Sequence, residues 1–207
     1  MTLVLRRMQV VDIPAVGEID QLSFNPPWAA RSYAFEITES TYSHMCVLEV
    51  VQGDEDAEKG SFLRRLRRGF SAPNEPNGHI VGYGGLWSIA GEGHISTIAT
   101  HPDYRGRGWG EILLVGMLEK AIVLNSDYIV LEVRVSNTVA QNLYKKYDFE
   151  IQGVKPRYYA KDGEDAYDMR VPLADNLTYI AKIHARFQEI IAQYGLQDLY
   201  TPLEEER

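Results

Sequence analysis

The feature that most constrains this 207-residue chain is a glycine- and arginine-rich segment at residues 104–110, Tyr-Arg-Gly-Arg-Gly-Trp-Gly. Residues 94–100 before it have the composition of a strand, and residues 111–121 after it place apolar side chains at helical spacing. Glycines let a backbone approach an anion closely, and a helix N-terminus offers unpaired N–H groups. The segment therefore predicts either a phosphate-binding turn or a basic turn without a ligand.

Two nucleotide-binding motifs are excluded by the residues of this segment. The dinucleotide pattern G-x-G-x-x-G requires a glycine where Glu111 stands, and the mononucleotide loop requires a Lys-Ser or Lys-Thr pair that does not follow. What remains is Arg-x-x-Gly-x-Gly, formed by Arg105, Gly108 and Gly110. The arginines add fixed positive charge that suits phosphate oxygens.

Composition narrows the class of protein. A hydrophobic content of 45% suits one soluble core, and a net charge of −8 argues against a protein that coats nucleic acid. The single cysteine, Cys46, excludes an internal disulfide, and its apolar neighbours favour packing over catalysis. We expect a cytoplasmic protein without a membrane span, because no signal-peptide pattern and no apolar run of about 18 residues occurs. The histidines lack metal-ligand spacing, so no metal is expected.

Hydrophobic periodicity predicts the order of elements: a strand, two helices, three strands, the 104–110 loop, a helix, a strand, a helix, two strands and a last helix over 175–194. Residues 128–135 are rich in β-branched side chains and predict a strand. Because side chains alternate along a strand, Glu132 shares a face with Val130 and Arg134. Residues 52–78 interrupt the order as either a solvated insertion or a segment that docks a partner or a second copy.

This order, with Arg-x-x-Gly-x-Gly after the fourth strand, resembles the GNAT acyltransferases over about residues 3–173. The resemblance narrows to protein N-terminal acetyltransferases of the ribosomal-protein-alanine type at 131–137, Leu-Glu-Val-Arg-Val-Ser-Asn, and at 143–149, Leu-Tyr-Lys-Lys-Tyr-Asp-Phe. Residues 24–28, Phe-Asn-Pro-Pro-Trp, and 164–169, Glu-Asp-Ala-Tyr-Asp-Met, match further signatures of that group.

The resemblance implies an α+β fold in an α/β/α arrangement. Its mixed, mostly antiparallel sheet would have about seven strands, would splay between the fourth and fifth, and would be flanked by helices, with an extra helix at the C-terminus. The acetyltransferase domain would cover residues 1–173, including the 52–78 insertion. Residues 174–207 would form a C-terminal helical extension, which compact members of the family lack.

Acetyl-CoA is the co-substrate that the resemblance implies. Its pantetheine would lie along Ile98, Ala99 and Thr100, whose N–H groups would also polarise the thioester carbonyl. Asn137 would bind the cofactor as well as cap a helix. Main-chain donors would hold the pyrophosphate at six consecutive residues: Arg105, Gly106, Arg107, Gly108, Trp109 and Gly110.

Glu132 is the expected general base, and Tyr144 the expected general acid and a further cofactor contact. An α-amine has a pKa of about 7.7–8.0 and a lysine amine about 10.4, so a modest carboxylate serves an N-terminal amine more easily. A thiol pKa near 8.5 and a phenol pKa near 10 make protonation of the leaving thiolate by Tyr144 roughly balanced. The aromatic residues Phe24, Trp28, Tyr158 and Tyr159 resemble the family's substrate groove, although each is also compatible with loop packing.

The resemblance thus predicts an acetyl-CoA-dependent N-acetyltransferase acting on the N-terminal α-amine of a protein, with a ribosomal protein among the candidates. Transfer would be direct, in a ternary complex. Two alternatives stay open: acetylation of a small amine such as a polyamine or an antibiotic, and a non-catalytic acyl-CoA-binding module. No nucleic-acid or membrane partner is expected, and the sequence leaves open whether the chain forms a homodimer.

Overall fold

The computed structural model of the protein describes residues 2–51 and 78–202. The prediction for the 52–78 insertion lies, apart from its last residue, outside the described residues.

Eight strands and five α-helices make up the described part of the chain. The strands are β1 (Thr2–Arg7), β2 (Ser43–Val51), β3 (Gly78–Ile89), β4 (Glu92–Thr100), β5 (Tyr128–Arg134), β6 (Glu150–Tyr159), β7 (Glu164–Pro172) and β8 (Gln197–Leu199). The helices are α1 (Ile13–Ser23), α2 (Ala30–Thr38), α3 (Trp109–Val123), α4 (Thr138–Lys146) and α5 (Leu177–Tyr194). Among these described helices, none has the length and apolar character needed to cross a membrane.

The strands form one open sheet in the order β6-β7-β5-β4-β3-β2-β1-β8. The β4–β5 and β1–β8 pairs are parallel and the other neighbours are antiparallel, which confirms the mixed, mostly antiparallel sheet. The sheet has eight strands rather than the expected seven or so. The additional strand, β8, follows the C-terminal helix and pairs with β1 over three residues, too short a stretch for sequence periodicity to reveal.

Two apolar clusters cover the two faces of the sheet. On one face, α3 and α5 pack against inward side chains of β5 and other strands; this cluster includes Leu113, Met117, Ile129, Leu131, Val133, Ile183 and Phe187. On the other face, α1 and α2 pack in a cluster that includes Val16, Ile19, Tyr33, Val47 and Tyr83. Glu132 alternates with Leu131 and Val133, so its side chain points away from α3.

Candidate active site

Strands β4 and β5 separate in the middle of the sheet, as expected. They pair only from Glu92 opposite Tyr128 to Ile95 opposite Leu131. Beyond that point β4 continues to Thr100 with β3 as its partner, and β5 continues with β7. Within the described residues, the β4 edge that carries Ile98, Ala99 and Thr100 therefore faces a cleft. An extended ligand can pair with that edge as a strand would.

The loop before α3 has the geometry of an anion site. Gly106 and Gly108 adopt φ angles of +78° and +80°, which L side chains rarely tolerate. In the described part of the chain, the backbone N–H groups of residues 106–110 have no hydrogen-bond acceptor. Arg107 lies with its guanidinium carbon 5.2 Å from the ring centre of Tyr104 and 5.4 Å from that of Trp109. The loop thus offers several donors and one cation to a phosphate.

The side chains of Arg105 and Trp109 stabilise the loop itself. Arg105 donates through Nε to the Thr100 carbonyl and through Nη2 to Ser23 Oγ, each at 3.1 Å. Trp109 is buried and stacks on Tyr104 with ring centres 5.3 Å apart. Trp109 can therefore contribute to an anion site through its main chain. The Arg105 N–H donates to the Pro102 carbonyl at 3.2 Å, so Arg105 lacks the free main-chain donor that the sequence predicted.

A contact that sequence reasoning missed joins the C-terminal helix to this loop. The Tyr194 hydroxyl donates to the Arg107 carbonyl at 3.3 Å. A Cβ atom on Gly108 would lie 2.6 Å from the same hydroxyl oxygen. Helix α5, from the expected extension, therefore helps to determine how the loop is held. No sequence pattern indicates which turn of α5 reaches the loop.

Glu132 lies where β4 and β5 separate, and its carboxylate is contacted by a histidine and a lysine side chain. Its Oε2 is 2.8 Å from His94 Nε2, and its Oε1 accepts a hydrogen bond from Lys155 Nζ. Burial opposes ionisation of Glu132, but the hydrogen bonds from His94 and Lys155 outweigh it and lower the carboxyl pKa to about 2. An ionised carboxylate only accepts hydrogen bonds, so His94 donates through Nε2.

Neither His94 nor Lys155 was predicted as a site residue. His94 belongs to β4 and Lys155 to β6, while Glu132 belongs to β5. The contacts depend on strand register, which follows from the order of strands in the sheet. Sequence alternation identified the correct face of β5 but could not identify its neighbours across the sheet.

Tyr144 lies on α4 with 5% of its surface exposed, and its ring centre is 5.9 Å from that of Phe149. Its hydroxyl has no hydrogen-bond partner among the described residues. Burial raises the pKa of Tyr144 above its usual value, and nearby Tyr159 adds to the effect. The hydroxyl therefore keeps its proton at neutral pH and is a hydrogen-bond donor without an acceptor of its own.

Asn137 caps helix α4. Its side-chain oxygen accepts from the Ala140 backbone N–H at 3.1 Å, as the sequence predicted for the capping role. The side-chain NH₂ group is left to donate elsewhere. Capping and cofactor contact therefore remain compatible.

Two of the predicted aromatic residues, Phe24 and Trp28, lie between α1 and α2, and the other two, Tyr158 and Tyr159, end strand β6. Lys161, in the β6–β7 turn, hydrogen-bonds the side-chain oxygen of Asn25, in the α1–α2 loop. Phe24 and Tyr158 are 37% and 47% exposed, so each presents an apolar surface to solvent. Trp28 is partly buried, with its ring centre 5.4 Å from that of Tyr33.

Tyr159 is held differently from Tyr158. The Arg134 guanidinium carbon lies 3.8 Å from the centre of the Tyr159 ring, and Arg134 also pairs with Asp162 and Glu164 of the hairpin. These contacts fix the β6–β7 hairpin beside β5. The α1–α2 loop and the β6–β7 turn therefore meet beside the end of β5 that carries Arg134.

A metal site and a cysteine nucleophile each have requirements that can be compared with the described residues. No group of three or more His, Cys, Asp or Glu side chains there is placed to hold a metal. Cys46 is fully buried in β2, and burial raises its thiol pKa to about 12. A thiol with that pKa is not ionised at neutral pH and is a poor nucleophile.

The chain is similar to known acetyltransferases over most of its length. The model of the acetyltransferase (GNAT) family matches residues 18–149. A Bacillus subtilis (strain 168) protein named "Putative ribosomal protein bS18-alanine N-acetyltransferase" is 34% identical over 169 residues, which cover 82% of this chain and 95% of the relative. An N-alpha-acetyltransferase of Sulfurisphaera tokodaii is 33% identical over 170 residues, covering 82% and 92%.

Solved structures share the fold. The ribosomal-protein-S18-alanine N-acetyltransferase from Escherichia coli matches with a TM-score of 0.63 and 23% identity, covering 84% of this chain and 98% of that one. At this identity the likeness shows the fold alone.

Proposed function

The chain belongs to the GNAT family of acetyltransferases, and we propose that this acetyl-CoA-dependent N-acetyltransferase acts on the N-terminal α-amine of a protein. The names of the Bacillus and Sulfurisphaera relatives support this acceptor class. The observation that carries the proposal is the position of Glu132, an ionised carboxylate at the point where β4 and β5 separate. We assign the acceptor groove to the surface between the α1–α2 loop and the β6–β7 turn, which meet through Lys161 and Asn25.

The residues of the cleft fit acetyl-CoA, which when bound supplies an acetyl thioester. We assign the unpaired β4 edge at residues 98–100 to the pantetheine and the N–H groups of 106–110 to the pyrophosphate. The Arg107 side chain adds a positive charge to the pyrophosphate site, and the Asn137 side-chain amide donates a hydrogen bond to the cofactor. The fit rests on orphan donors at the loop and on an extended edge that lacks a strand partner within the described residues.

In the proposed reaction Glu132 accepts the proton of the acceptor amine, directly or through water, and His94 holds the carboxylate in place. A carboxyl with a pKa of about 2 is a weak base. It suits an amine that is already partly neutral near pH 7, as an α-amine is and a lysine amine is not. The low basicity of Glu132 therefore favours an N-terminal acceptor.

Tyr144 is assigned to the leaving sulfur. Its raised pKa makes full proton transfer to a thiolate less favourable than ordinary phenol and thiol values imply. Its hydroxyl is better suited to donate a hydrogen bond to the sulfur as negative charge develops there. Loss of that bond would lower kcat and leave binding of the acceptor unchanged.

The same proposal covers the identity of the acceptor, the route of transfer, the domain bounds and the location of the protein. The acceptor is the N-terminus of a ribosomal protein, supported by the name of the Bacillus relative. Transfer is direct in a ternary complex, because Cys46 is buried and protonated. We also propose a domain over residues 1–173 with a C-terminal extension over 174–207, and a location in the cytoplasm.

The experiment that tests the acceptor class follows thiol release from acetyl-CoA with a panel of acceptors. One set contains short peptides with free N-termini, including alanine first, and the other contains spermidine and an aminoglycoside. We expect kcat/KM for at least one peptide to exceed that of every small amine. Faster turnover of a small amine would favour the alternative function, and tight acetyl-CoA binding without any transfer would favour a non-catalytic module.

A further inference from the structure

We propose that Asp168 is a positioning residue that draws Lys155 away from Glu132 when the acceptor amine arrives. The inference rests on the proposed function, in which Glu132 is the base. The three side chains come from three adjacent strands, since β7 lies between β5 and β6. Glu132 and Asp168 are direct cross-strand partners in the β5–β7 ladder.

Lys155 lies between the two carboxylates. Its Nζ hydrogen-bonds Glu132 Oε1 and is 3.7 Å from Asp168 Oδ2. The Glu132 side chain is 10% exposed, whereas those of Asp168 and Lys155 are 32% and 41% exposed. Lys155 is thus anchored on the more buried carboxylate, with a more exposed one within reach. A lysine side chain has four rotatable carbons and can exchange between the two without moving the strand.

The proposed reaction requires Lys155 to leave Glu132. Both oxygens of Glu132 are engaged, one by His94 and one by Lys155. The acceptor arrives largely as an ammonium ion, and like charges in a partly buried cleft repel each other. Moving Lys155 to Asp168 frees an oxygen of Glu132 and separates the two cations. It also removes the Lys155 hydrogen bond, which lowers the pKa of Glu132 less than the His94 hydrogen bond alone does.

Asp168 is the carboxylate best placed to receive Lys155. Glu132 lies in a cleft of about 320 Å³ whose other charged and titratable lining residues are Glu92, His94, Tyr128, Lys155, Asp168 and Arg170. Tyr158 also interacts electrostatically with Glu132. Of the other charged members, Glu92 accepts from the Tyr128 hydroxyl at 2.9 Å, and Arg170 lies over the Tyr128 ring with its guanidinium carbon 3.4 Å from the centre. In the described chain, Asp168 has Lys155 as its ionic partner.

The test is a double-mutant cycle of Asp168→Asn and Lys155→Met, measured as kcat/KM for a peptide substrate over pH 5.5–9. With Lys155 present, Asp168→Asn should lower kcat/KM about tenfold, because Lys155 stays on Glu132. In the Lys155→Met background the same change should have little effect, since no cation needs to be moved. Lys155→Met alone should also shift the acidic limb of the kcat profile to higher pH, because the bound acceptor keeps its ammonium form to a higher pH when no cation lies beside it.

Equal losses from Asp168→Asn in both backgrounds would overturn the inference, because a purely structural role of Asp168 does not depend on Lys155. The control is Lys182→Met, which removes a lysine from an exposed pair with Asp148 at 2.6 Å and should leave kcat/KM unchanged. Thermal melts of the four cycle members establish that all are folded. If the wild-type protein acetylates no peptide, the proposed function fails first; if it does and the cycle is additive, only this inference fails.

Discussion

The loop before α3 and the surroundings of Glu132 are built in opposite ways. The loop presents backbone N–H groups from five consecutive residues, held by two glycines with positive φ. The surroundings of Glu132 consist of side chains from β4, β5, β6 and β7, which are up to 74 positions apart between His94 and Asp168. One site is local in sequence and the other exists only after the sheet has formed.

We therefore expect the two sites to act on different substrates, the loop on acetyl-CoA and the surroundings of Glu132 on the acceptor. In the proposed function the backbone site holds acetyl-CoA, and its donors do not depend on the side chains of the loop apart from the requirement for glycine at 106 and 108. A side-chain site can be tuned for one acceptor by single substitutions on neighbouring strands. We therefore expect loop variants to change KM for acetyl-CoA and variants around Glu132 to change kcat and acceptor selectivity.

The largest expected effect comes from Glu132→Gln, which keeps the shape of the side chain and removes its basicity. General-base catalysis typically contributes about 10²–10⁴-fold, so kcat/KM for the acceptor should fall about 10³-fold. The KM for acetyl-CoA should change little. The matched control is Glu189→Gln, at an exposed position of α5. Full activity of Glu132→Gln across pH 6–9 would contradict the base assignment.

Next in size is Tyr144→Phe, which removes only the hydroxyl. Because that hydroxyl has no partner among the described residues, its loss should not destabilise the fold. We expect kcat to fall about 100-fold, at the lower end of the range for one lost transition-state hydrogen bond. Unchanged kcat with a raised KM would place Tyr144 in cofactor binding alone.

A smaller effect is expected from Gly108→Ala. The new Cβ would lie 2.6 Å from the Tyr194 hydroxyl oxygen, and the alanine would have to keep a φ of +80°. The loop must therefore shift. KM for acetyl-CoA should rise about tenfold with kcat retained, measured with acceptor in excess. Gly106→Ala is the control: its φ of +78° carries similar strain in the same loop, with nothing within 4 Å of the new atom. An equal rise in both variants would show that strain alone is responsible.

The smallest effect should follow loss of the contact between the two loops. Lys161→Met removes the hydrogen bond to Asn25, which joins exposed segments. Exposed polar contacts contribute about 1 kcal/mol or less, so peptide KM should rise only a few-fold, with acetyl-CoA KM unchanged. Loss of acetyl-CoA binding would show that the Lys161–Asn25 contact also affects the loop before α3.

The pH dependence of stability offers a separate check on the ion pairs at Glu132. Its pKa lies near 2 in the folded protein, below the ordinary value near 4.5. The stabilisation is therefore fully present above about pH 4.5 and is lost as the pH falls toward 2. Glu132→Gln should weaken the acid-induced loss of stability in that window, measured by chemical denaturation at several pH values.

The sequence could predict what depends on local pattern. The order of elements, the turn at Gly106 and Gly108, and the face of β5 that carries Glu132 all follow from periodicity and glycine chemistry. His94, Lys155 and Asp168 could not be predicted, because their contacts depend on which strands become neighbours. The reach of Tyr194 to the loop depends likewise on how α5 packs on α3, and β8 is too short for a periodic signal.

In the proposed function the acceptor is an N-terminal α-amine activated by Glu132. This assignment is tested most directly by a peptide that carries both a free N-terminus and an internal lysine, incubated with acetyl-CoA at pH 7.5. Tandem mass spectrometry locates the acetyl group after partial reaction. We predict acetylation of the α-amine almost exclusively, and its loss in Glu132→Gln. Acetylation mainly on the lysine, or undiminished α-amine acetylation by the variant, would contradict the account.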